Sequence, residues 1–94
     1  MVEIRRLVLD VLKPHDPRIV EFTTELAEMQ GVEGVNASLI EVDEKVRNLK
    51  VTVEGEINEQ KIREKIDEIG GSVHSIDEVA AGKKLVEESK TLQD

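Results

Sequence analysis

The sequence predicts an α+β fold, a ferredoxin-like βαββαβ sandwich with a four-stranded antiparallel sheet and two helices on one face. Three observations predict it. Period-two and helical apolar patterns follow one another as strand, helix, strand, strand, helix, strand within residues 1–82. Proline and glycine punctuate the order at Pro14, Pro17, Gly31 and Gly70-Gly71. Split βαβ units in this order return the chain to one sheet and leave its other face uncovered.

Arg5, Leu7, Leu9 and Val11 alternate with Ile4, Arg6, Val8, Asp10 and Leu12 in the first strand, and the first set should meet the helices. The strand is expected to stop at Lys13-Pro14. Asp16-Pro17 reads as an N-cap followed by proline at the first helical position. The stripe Ile19, Val20, Phe22, Thr23, Leu26, Ala27 and Met29 supports a helix closed by Gly31. In the second strand Val35, Ala37 and Leu39 oppose Asn36, Ser38, Ile40 and Val42. Asp43-Glu44-Lys45 makes a hairpin loop, and Arg47, Leu49, Val51 and Val53 then alternate with Asn48, Lys50, Thr52 and Glu54. Asn58 caps a helix through Ile62, Ile66 and Ile69, with charged residues on its wet side and Gly70-Gly71 at its end. Ser72 to Glu78 completes the sheet. Residues 83–94 form a C-terminal tail, read either as a short helix with Leu85, Val86 and Leu92 as its apolar side or as a frayed end.

Composition narrows the function classes. Phe22 is the single aromatic residue, so the core is aliphatic, and a 94-residue chain with such a core gains from association. A net charge of −8 and the absence of Tyr and Trp argue against nucleic acid and anionic membrane as partners. Having no cysteine excludes disulfides, zinc–thiolate sites, iron–sulfur clusters and thiol nucleophiles. No signal-like h-region and no apolar run near twenty residues is present, which points to a soluble cytoplasmic protein. Charged residues make up 36% of the chain, a composition that suits a thermophile.

Specialised users of this fold can be tested on residues. Heavy-metal-binding versions need a Cys pair after the first strand. Acylphosphatases need a glycine-rich phosphate loop where this chain has Lys13-Pro14-His15-Asp16-Pro17-Arg18. RNA-binding versions need aromatics on the open sheet face. The serines lie in no nucleophile elbow. What remains is a set of polar groups on an otherwise apolar face. Val8, Leu12, Ile40, Val42 and Ile76 are expected on the face the helices leave open, interrupted by Asp10, Lys50 and His74. Such a patch suits a subunit interface or ligand surface, to which His15 is added from the neighbouring loop. Asp10, His74, Asp77 and Glu78 are the candidate ligands of a hard divalent cation, Ca²⁺ or Mg²⁺. Solvation is the competing reading of the acidic clusters, and a local hydrogen bond that of each histidine.

Four segments carry a family resemblance: Leu9-Asp10-Val11-Leu12-Lys13-Pro14-His15, Gly31-Val32-Glu33-Gly34-Val35-Asn36, Lys50-Val51-Thr52-Val53-Glu54-Gly55 and Gly70-Gly71-Ser72-Val73-His74-Ser75-Ile76-Asp77-Glu78-Val79. In this order, and from the first strand to Gly82, the chain resembles the small archaeal family known as domain of unknown function 211. The resemblance implies a ferredoxin-like fold, an archaeal cytoplasmic source and assembly into a multi-subunit ring or similar oligomer. It implies no activity. The combined expectation is a non-enzymatic homo-oligomeric binding or regulatory module, holding a divalent cation or small ligand at subunit interfaces. The alternatives are a scaffold oligomer that recruits a protein through an edge strand or the tail, and a small enzyme with His15 or His74 as general base.

Overall fold

A computed structural model of the chain describes residues 2–89. Its elements are β1 (Ile4–Pro14), α1 (Ile19–Ala27), β2 (Val32–Val42), β3 (Val46–Ile57), α2 (Glu59–Glu68) and β4 (Ser72–Ala81). The strands pair antiparallel in the order β2-β3-β1-β4, so β1 and β3 lie at the centre and β2 and β4 at the edges. This is the α+β ferredoxin-like sandwich that the order of patterns predicts.

The core follows from alternation. Leu7, Leu9 and Val11 of β1 and Leu49, Val51 and Val53 of β3 project from one face, and Phe22, Leu26, Ile62 and Ile66 of the two helices close over them. Each such side chain contributes about 1.5–3 kcal/mol through burial alone. Helix α2 starts as expected: the Asn58 side chain accepts the Lys61 N–H at 3.1 Å. Gly70, at φ +95°, ends it, and the Gly71 N–H donates to the Ile66 carbonyl at 2.8 Å.

Helix α1 is shorter than its apolar stripe. Arg18, not Asp16, occupies the cap in an extended conformation, and the Glu21 carboxylate accepts both its backbone N–H and its Nε–H. At the other end the helix stops at Ala27, before Gly31. That glycine serves the sheet instead: at φ +88° its carbonyl accepts the Glu56 N–H at 2.8 Å. A side chain on it would strike the Glu56 carbonyl.

The edge strands carry irregularities that simple alternation misses. Register shifts leave Glu33 and Ile40 as extra residues of β2, and His74 and Asp77 as extra residues of β4. A bulge exchanges the two faces for everything beyond it. Val42 therefore pairs with Arg47, and Ile76 with Leu9, on the helix side of the sheet and not on the open face expected for them. Ile4, beyond a shift in β1, likewise packs against the core. β4 also runs past Glu78 to Ala81, and residues 83–89 continue without helix. The remainder of the tail expected to be helical, 90–94 with Leu92, lies outside the described residues.

Candidate functional site

The open sheet face is polar. Its central row on β1 reads Arg6, Val8, Asp10 and Leu12, paired across to Glu54, Thr52, Lys50 and Asn48 of β3. Val8 is buried and Leu12 half-buried. The continuous apolar patch expected here, with Ile40, Val42 and Ile76, does not form, because the bulges redirect those residues. Leu39, Ile40 and Val42, 49–55% exposed, instead gather at the end of edge strand β2.

Two polar nodes occupy the face. At the first, the Asp10 carboxylate accepts a hydrogen bond from Asn48 Nδ2, with Lys50 and Ser75 as its cross-strand neighbours. Helpful parity at Asn48 was available in the sequence, although Lys50 and Thr52 look equally suited to flank Asp10. At the second, the Arg6 guanidinium donates to Glu54 (2.7 Å), Glu78 (3.3 Å) and Glu87 (2.7 and 3.1 Å). These partners hold Arg6 more firmly protonated than usual, chiefly through Glu87 and Glu54. Glu87 in turn titrates below the usual carboxylate range. Nothing local in the sequence announces the pairing, because Glu87 lies 81 residues from Arg6. The contact draws the tail onto the sheet, helped by Arg5 Nε donating to the Gly82 carbonyl at 2.8 Å.

The expected cation ligands are dispersed. Asp10 is engaged by Asn48 and Glu78 by Arg6. His74 and Asp77 are exposed at bulges of the edge strand, where Asp77 accepts the Ser75 hydroxyl at 2.8 Å. Among the described residues no three His, Asp or Glu side chains come together as a metal site. His15 is exposed, and its Nε2 lies 3.1 Å from the Asp43 carbonyl, tying the β1–α1 loop to the β2–β3 hairpin. Depressions on this side are shallow: one of about 280 Å³ is lined by Glu33, Asn36, Thr52 and Glu54. Another of about 270 Å³ lies between Arg5, Glu33, Glu54 and Lys83. No helix among the described residues is long and apolar enough to cross a membrane.

Comparison with known proteins adds lineage. A curated relative from the archaeon Methanocaldococcus jannaschii, named "Uncharacterized protein MJ0319", is 48% identical over 92 residues, covering 97% of this chain and 95% of its own length. The family model DUF211, described as "Uncharacterized ArCR", matches residues 5–94. With the tail and every element inside that match, save Ile4 at the start of β1, the chain belongs to the DUF211 family.

Proposed function

We propose that the protein is a non-enzymatic homo-oligomeric binding module whose subunits meet along the β2 edge. The observation that carries this reading is the end of β2, where Leu39, Ile40 and Val42 stand exposed beside unpaired strand backbone. An uncovered edge strand of eleven residues with an apolar end templates further pairing, and soluble proteins normally blunt or cover it. A divalent cation, Ca²⁺ or Mg²⁺, belongs to this proposal as a junction ligand. His74 and Asp77 on the opposite edge are the exposed candidates, Asp77 already accepting from Ser75, and the β2 edge of a second subunit has to complete their shell, since the described residues of one chain gather too few ligands.

Native mass spectrometry of the full chain tests both parts, first as purified, then with EDTA, then with added Ca²⁺ or Mg²⁺. The expected result is a discrete oligomer that carries metal in proportion to its subunits and dissociates in Ile40→Lys. A wild-type monomer at micromolar concentration sinks the assembly. An oligomer with no bound metal, indifferent to chelation, sinks the cation and leaves the assembly. The same edge also suits a scaffold that adds a strand from another protein. A chain that stays monomeric and pairs β2 with an added peptide would favour that second reading.

A further inference from the structure

Lys13 and Arg47 are direct cross-strand partners on β1 and β3, on the helix side of the sheet at the hairpin end. Lys13 has no exposed surface and is the buried charged residue of the described chain. Its ammonium uses one of three donors, on the Pro14 carbonyl at 2.6 Å. Beside it the Arg47 Nε is buried and, among the described residues, has no hydrogen-bond acceptor. Neither cation forms an ion pair among the described residues.

Such an arrangement is costly in a protein with eight surplus negative charges elsewhere to draw on. Burial, then the charge of Arg47, pushes the Lys13 ammonium below the usual lysine range. Asp16 from the β1–α1 loop and Glu21 from the first turn of α1 approach closely enough to offset part of this. Glu21 is nevertheless committed to Arg18, at 3.2 Å from its Nε, while His15 is turned to the Asp43 carbonyl. An orphaned buried donor in a native fold calls for a missing acceptor.

We infer that a small oxyanion binds between Lys13 and Arg47, accepting from the Arg47 Nε and from the unused donors of the Lys13 ammonium. Arg47 is half-buried, so the ligand enters on its side, next to the β2–β3 hairpin. A guanidinium beside an ammonium suits phosphoryl and carboxylate oxygens alike. The site is independent of the proposed cation junction: it lies on the helix side of the sheet and takes ligands of opposite charge.

Thermal melts of the full chain at pH 7 and matched ionic strength, in chloride, inorganic phosphate and acetate, test it. The expected result is a rise in Tm with phosphate or acetate over chloride, on the order of 5–10 °C at ten times the dissociation constant. The anion that gives the rise identifies the source, and the rise is lost in Lys13→Met and Arg47→Met. Should Lys13→Met not fold, Arg47→Met carries the test, read also by ³¹P line broadening of phosphate with wild type and its absence with the variant. No anion-specific rise in wild type, or one undiminished in Arg47→Met, overturns the site.

Discussion

Gly55 and Gly34 share the β2–β3 ribbon and meet opposite constraints. A methyl group on Gly55 would lie 2.2 Å from the Gly31 carbonyl oxygen and 2.7 Å from the Glu33 nitrogen, at a φ of +142°. Nothing lies within 4 Å of the same position on Gly34. Gly55→Ala is therefore expected to cost about 2 kcal/mol or more, and Gly34→Ala to stay within about 0.5 kcal/mol, in urea unfolding. Equal losses would refute the close approach of Gly31 and Gly55. Asp43 gives a pH-dependent case. Its carboxylate accepts the Val46 and Lys45 N–H groups, each at 2.8 Å, and so titrates below the usual aspartate range. A depressed folded value means stability that is present above the unfolded value and lost as pH falls through the folded one. Asp43→Ala should thus lower Tm at neutral pH and match wild type in strong acid. A Tm gap that persists at the acid end would contradict this. Loop carboxylates of this kind are legible from sequence, because an Asp that caps its own turn acts within three residues. The partnership of Asp10 with Asn48 is not, since it depends on which of several polar neighbours turns inward.

At the scale of elements, all six elements could be read in the sequence, but the faces of the edge strands could not. β1 and β3 obey period two for most of their length, because both faces of a central strand are set by neighbours on either side. Edge strands have one neighbour and can take up an extra residue, as at Ile40, His74 and Asp77. One inserted residue is invisible to a pattern of apolar residues but exchanges the faces beyond it. That is why Val42 and Ile76 left the candidate site while Val8 and Leu12 kept their place. Caps behave like turns, being local. Asn58→Ala should cost about 1 kcal/mol by removing the acceptor for the Lys61 N–H. Asn58→Asp should retain most of the stability. If both variants unfold alike, the side-chain cap is not what starts α2.

At the scale of the molecule, the described part of the tail is attached by an ion pair and hydrogen bonds. Its described residues enter no core cluster, and its links are Arg6 to Glu87 and Arg5 to the Gly82 and Lys83 carbonyls. Exposed ion pairs are weak and screened by salt. A chain ending at Gly82 is therefore expected to fold, with Tm within roughly 4–8 °C of the full chain, the shift that about 1 kcal/mol makes in a domain this size. A loss of several times that, measured by circular dichroism, would show the tail to be integral. The long-range pairing that holds the tail was hidden from sequence, because an ion pair 81 residues apart leaves no periodic trace.

The order β2-β3-β1-β4 also has a consequence for how the chain is made. β1 leaves the ribosome first, yet its neighbours end at Ile57 and Ala81. Its row of Leu7, Val8, Leu9 and Val11 must wait, unpaired, while most of the domain is synthesised. The charges spaced along the same strand, Arg5, Arg6, Asp10 and Lys13, then act as gatekeepers that keep nascent copies from sticking to one another.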